Sequence, residues 1–136
     1  MNVEAAKQVC RSLPGCAEDI KWGNNLVFTV GARMFAITSV EQPAQAMSFK
    51  VEDHRFLELT DRPGIVAAPY LARARWVQVQ LAAKLSDSEA AALVRRSYEL
   101  VFAKLTRKVQ NEITGAAWAR APAAPTAVST AVPTAV

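Results

Sequence analysis

The sequence predicts an α+β fold, with an antiparallel sheet packed against N- and C-terminal helices and a disordered C-terminal tail. Three observations predict it. Apolar residues recur at three- and four-residue spacing near both ends of the folded segment. Between them lie short β-type runs divided by Gly, Asn and Pro. Composition then changes after Ile113, which sets a domain at 1–113 and a tail at 114–136. One domain suits a chain of 136 residues, half of them apolar.

Asn2 can cap a first helix whose inner face holds Val3, Ala6, Val9, Cys10 and Leu13. Pro14-Gly15 ends it. Ile20 and Trp22 begin the strands, and Gly23-Asn24-Asn25 reads as a turn. Leu26–Val30 and Met34–Thr38 flank Gly31-Ala32 and make a hairpin. Gln42-Pro43 breaks the chain, and Ala46–Val51 reads as a fourth strand. Asp53 can cap a short helix through Phe56, Leu57 and Leu59, stopped by Arg62-Pro63-Gly64. Ile65–Ala74 fits strand or loop. Trp76–Leu81 alternates cleanly as a strand.

Ser86 and Glu89 have capping-box spacing and open the longest helix. Its inner stripe is Ala90, Val94, Ser97, Tyr98, Val101 and Leu105, widened by Leu93, Leu100 and Phe102, so it should be covered on more than one side. Lys104, Arg107 and Lys108 read as complements to its C-terminal dipole. Residues 115–136 hold nine Ala, three Pro, three Thr and three Val with one charge, too little bulk to offset ordering entropy. Trp118 is the one residue there large enough to dock.

Composition excludes several classes. No apolar run approaches the ~18 to 20 residues of a membrane span. Met1-Asn2-Val3-Glu4 has neither the basic region nor the apolar stretch of a secretory signal, so a cytoplasmic location is expected. Cys10 and Cys16 form no metal-ligand spacing, and no metal or cofactor is expected. They read as a buried helix thiol and a loop thiol. His54 is the single imidazole, placed where an exposed histidine is the commonest outcome. No nucleophile and base can be paired with it, so no catalytic residues are assigned and no enzymatic activity is expected.

Charge is unevenly placed. Residues 1–62 carry seven Lys/Arg against eight Asp/Glu, or −1; residues 63–114 carry eight against four, or +4. Such an excess suits a polyanionic partner. Pro69–Trp76 combines Tyr70 and Trp76 with Arg73 and Arg75. Arginines can contact phosphates, and aromatics can stack on bases. Equally, the aromatics can anchor a loop whose arginines are solvated.

Leu13-Pro14-Gly15 with Glu18, Trp22-Gly23, Leu26–Gly31, Met34-Phe35-Ala36, Phe49-Lys50, Pro63-Gly64-Ile65, Pro69-Tyr70, Arg75-Trp76-Val77 and Ser97–Val101 with Lys104-Leu105 occur in a defined order. In that order and spacing the chain resembles the MmcQ/YjbR family over about residues 1 to 110. The resemblance implies a frataxin-like two-layer sandwich described as a double-wing DNA-binding motif. Family members often carry Lys or Arg before the tryptophan; Arg73 and Arg75 fill those places. No catalytic residues come with the resemblance, and the tail has no counterpart in it. The expectation is non-enzymatic, weakly sequence-selective DNA binding through Lys50, Tyr70, Arg73, Arg75, Trp76 and Lys84. The alternative is a protein-interaction or small-ligand module without nucleic-acid affinity, favoured by any apolar pocket beside Trp22 and Trp76.

Overall fold

The structure, a computed structural model, describes residues 1–41 and 44–120, with side chains described as far as residue 115. The expected break at Gln42-Pro43, the side chain of Trp118 and residues 121–136 lie outside the described residues.

Helix α1 spans Val3–Ser12, and the Asn2 carboxamide oxygen accepts from the Ala5 amide at 3.0 Å. The strands are β1 (Cys16–Lys21), β2 (Asn25–Val30), β3 (Arg33–Ser39), β4 (Ala46–Lys50), β5 (Ile65–Ala67) and β6 (Trp76–Gln80). Helix α2 (Asp53–Thr60) follows β4, and a 3₁₀ turn (Ala72–Ala74) precedes β6. Helices α3 (Asp87–Phe102) and α4 (Arg107–Arg120) complete the chain. The sheet is antiparallel throughout, in the order β1-β2-β3-β4-β6-β5. β6 thus returns between β4 and the edge strand β5.

Register explains the two faces. Leu26, Thr38, Met47, Val79 and Ile65 lie in one row across the sheet, and Phe28, Ala36, Phe49 and Val77 in another on the same side. These rows join Val3, Ala6 and Cys10 of α1, Leu59 of α2, and Val94, Tyr98 and Phe102 of α3 in one buried core. Phe35 meets Tyr98 edge-on at 5.4 Å, and Tyr98 stacks on Phe102 at 5.8 Å. Asp19, Val27, Ile37, Ser48, Gln78 and Val66 form the opposite row. The α+β sandwich expected from the sequence is the fold observed.

The turns follow from their residues. Gly31 and Ala32 both hold positive φ (56° and 67°), as a two-residue hairpin loop requires. A side chain at Gly31 would also strike Leu105, since a Cβ would stand 2.7 Å from its Cδ1. Buried Ser97 joins layers: its hydroxyl donates to the Phe35 carbonyl at 2.6 Å and accepts from the Lys50 amide at 2.9 Å.

Several sequence expectations need correction. β1 begins at Cys16, so that thiol opens a strand rather than lying in a loop, and β1 ends at Lys21, leaving Trp22 in the turn. Glu52, not Asp53, precedes α2, and no side chain caps that helix. Ile65–Ala74 contains both β5 and the 3₁₀ turn. The long terminal helix is two helices: α3 stops at Phe102, and Thr106 starts α4 by accepting from the Val109 amide at 3.2 Å. α4 spans Arg107–Arg120.

Candidate nucleic-acid interface

The loop between β5 and β6 is held by its own backbone. The Ala68 amide donates to the Trp76 carbonyl at 3.0 Å, and the Trp76 amide to the Leu71 carbonyl at 3.2 Å. The Val51 amide donates to the Arg75 carbonyl at 2.8 Å, tying the loop to the end of β4. Tyr70 takes a positive φ of 65° and its side chain is fully exposed. Arg75 is also left-handed, at 63°. A bulky residue at positive φ is costly, so the surrounding hydrogen bonds must impose both conformations.

Lys50 lies opposite Trp76 in the register, and its Nζ donates to the Ala74 carbonyl at 2.5 Å. Burial holds the Lys50 ammonium below the ordinary lysine pKa; the charges of Lys104 and Arg75 push the same way, and Asp53 opposes them. Arg75 has a carboxylate partner, with Nε 3.1 Å from Asp53 Oδ1, and its guanidinium sits 5.4 Å from the Phe56 ring centroid. Arg73 is exposed in the 3₁₀ turn beside them.

Three of the sequence-predicted residues thus share a corner: Lys50, Arg73 and Arg75, with Tyr70 projecting from the same loop. Trp76 is a correction. It is only 5% exposed, so its ring anchors the strand and cannot stack on a base. Lys84 is a second correction. It follows β6 at the opposite end from Trp76, near the Met1 ammonium that donates to Leu81 and Ala83. Four residues of strand put that end about 14 Å away.

Sequence reasoning missed Lys104, which the fold brings within electrostatic reach of Lys50. It also misread Arg107 and Lys108. The last turn of α3 holds no basic residue, and these two cations lie in the first turn of α4, which has no acidic residue. The helix dipole disfavours cations there. Thr106 was the available signal, a capping residue inside what reads as continuous helix. Arg33, beside the Gly31-Ala32 turn that packs on Leu105 and Val109, lies on the same end of the sheet.

Trp22 and Trp76 lie at opposite ends of the sheet. Trp22 is 68% exposed in the β1–β2 turn, at the Gln80 end of the sheet, while Trp76 is buried at the other end. A cavity of about 80 Å³ lies between α2 and α3, lined by Lys50, Val51, Glu52, Arg55, Leu93 and Arg96. It is well below the ~300 Å³ of ordinary ligand sites. Its arginines are already paired: Arg96 with Glu52 at 3.2 Å and Arg55 with Glu58 at 3.0 Å. Among the described residues no group of three or more His, Cys, Asp or Glu could hold a metal, and no helix is long and apolar enough to cross a membrane.

An antiparallel sheet with helices on one face and a basic corner at one end defines the class: a small α+β sandwich. The YjbR family profile matches residues 11–100, and the chain belongs to that family. Among solved structures, a Deinococcus radiodurans protein with a DUF419 domain is 30% identical, with 82% of this chain and 87% of that chain covered and a TM-score of 0.71. A Pseudomonas syringae protein, 19% identical over 74% of this chain and 99% of its own, shares the fold with a TM-score of 0.62. Among curated proteins, none matches.

Proposed function

We propose that this protein binds nucleic acid, without marked sequence preference, through the corner formed by Lys50, Arg73, Arg75 and Lys104. The role is one of binding rather than catalysis. The observation that carries it is the shared corner: Lys50 Nζ donates to the carbonyl of Ala74, between Arg73 and Arg75, and Lys104 lies within electrostatic reach. Burial first, then Lys104 and Arg75, raise the cost of its positive charge and Asp53 offsets part of it; the α4 N-terminus carries Arg107 and Lys108 where its own dipole is already positive. Such a field is unfavourable in the free protein and is relieved by a polyanion. Tyr70 supplies the second element of a nucleic-acid site, an exposed ring held by an imposed backbone next to the cations.

Fluorescence anisotropy with labelled single- and double-stranded oligonucleotides at low salt tests the proposal. Binding at micromolar protein is expected, and Tyr70→Ala should weaken the single-stranded complex by about 1–3 kcal/mol. No anisotropy change for either oligonucleotide at low salt would remove the reading altogether. Unchanged affinity in Tyr70→Ala would restrict it to phosphate contacts.

A further inference from the structure

We propose that the free edge of β1 pairs with β1 of a second copy of this chain, about a two-fold axis at Ile20. β1 is the outermost strand, with six residues and, among the described residues, one side without a strand neighbour. An open edge is a template for strand addition unless something blunts it. This edge keeps two large apolar residues in solvent, Ile20 at 60% and Trp22 at 68% exposed. Its blunting is local: the Ile20 amide donates to its neighbour's carboxylate, Asp19 Oδ1, at 2.9 Å. The Asp19 carboxylate stands where a carbonyl of an adjacent strand would stand.

That bond marks Ile20 as a residue whose amide points away from β2. Outward amides alternate along a strand, so Glu18 shares the property. In an antiparallel pair, outward-facing residues set opposite each other exchange both hydrogen bonds. Symmetric registers must therefore place even-numbered residues of β1 opposite even-numbered ones. Charge then chooses among them. A register centred on Asp19 sets two carboxylates opposite each other, and one centred on Lys21 sets two ammonium groups opposite. Centred on Ile20, Lys21 lies opposite the partner's Asp19, and Asp19 opposite the partner's Lys21. Unlike charges directly across a ladder stabilise it; like charges do the reverse.

The same register places Ile20 against the partner's Ile20. On pairing, the partner's Ile20 carbonyl replaces Asp19 at the Ile20 amide. The freed carboxylate then turns to the partner's Lys21. The overlap is three residues per strand, far short of the ~1,200 Å² of a stable interface, so association is weak and depends on concentration and salt. β1 is the edge of the sheet remote from β6, and the inference does not rest on nucleic-acid binding.

Sedimentation equilibrium of the full chain, from roughly 10 μM to roughly 1 mM, covers the range of weak association. The mass should rise from 14.7 kDa towards twice that value. Asp19→Lys and Lys21→Glu should each weaken the dimer by at least about tenfold, since each turns two attractions into two repulsions. The combined variant should restore it. Both positions are exposed, and unchanged circular dichroism confirms that each variant folds. A mass fixed at 14.7 kDa at every concentration overturns the inference. So does a dimer indifferent to both single reversals, or one that the combined variant fails to restore.

Discussion

Ser97 shows how much one side chain can carry. It is fully buried in α3 and bridges the Phe35 carbonyl to the Lys50 amide, joining the helix to two strands. Ser97→Ala leaves both backbone groups without that partner. The expected loss is about 2–3 kcal/mol, measured from the shift of the urea midpoint. A loss below about 0.5 kcal/mol would mean that the strands close the gap themselves. Cys16 gives a different residue-scale prediction. Burial, then the charge of Glu18, pushes its thiol from 9.0 up to about 11. The folded state therefore holds the proton more tightly than the unfolded chain. This contribution is fully present below pH 9 and is lost as pH rises towards 11. Disulfide-reagent labelling of Cys16 at pH 8 should be roughly a hundredfold slower in the folded than in the unfolded protein, because the thiolate reacts. Equal rates would refute the shift.

Elements were legible where a local rule had no competitor. The Asn2 cap, the Gly31-Ala32 hairpin and the alternation of Trp76–Gln80 are each fixed by neighbours in sequence, and each is observed. Ser86 caps α3 as its spacing requires, accepting from the Glu89 amide at 3.1 Å. The reciprocal half of the box is absent, because the Glu89 carboxylate reaches Arg62 at 2.8 Å instead. Tertiary partners also explain what sequence could not show. The apolar pattern continues through Leu105, Val109 and Ile113, so it hides the break between α3 and α4. What fixes that break is distant: Leu105 and Val109 pack near Gly31, Ile113 near Gly15, and the Gln110 side chain donates from Nε2 to the Phe102 carbonyl at 2.9 Å. These contacts locate the useful part of α4. A chain ending at Thr114 retains them and should lose less than about 0.5 kcal/mol. A chain ending at Thr106 loses Val109, Gln110 and Ile113 and should lose at least about 2 kcal/mol. Chemical denaturation of the two truncations decides it, and equal midpoints would show that α4 does not brace the hairpin end.

At the scale of the whole molecule, the placement of charge matters more than its sum. The net charge of +4 was visible in the sequence, and so was the excess in its second half. The direction of that charge was not, because neighbours in sequence part company at the two ends of β6. Arg73 and Arg75 stay with Lys50 at one end, and Lys84 leaves for the other. Lys104, more than fifty residues from Lys50 in sequence, joins it through the packing of α3 on the sheet. If binding runs through this corner, about four cations release counterions, and the log–log salt slope should be about −3. Lys104→Ala should flatten that slope by nearly one unit and weaken binding at low salt for every oligonucleotide alike. Lys84→Ala removes the same formal charge from the same half of the sequence. It lies about 14 Å further along the strand direction, beyond a Debye length at physiological salt, and should leave slope and affinity nearly unchanged. Titrations of both variants across a salt series separate a local site from a diffuse charge effect. Equal losses from Lys84→Ala and Lys104→Ala would show that net charge alone governs binding and that the corner is not a site.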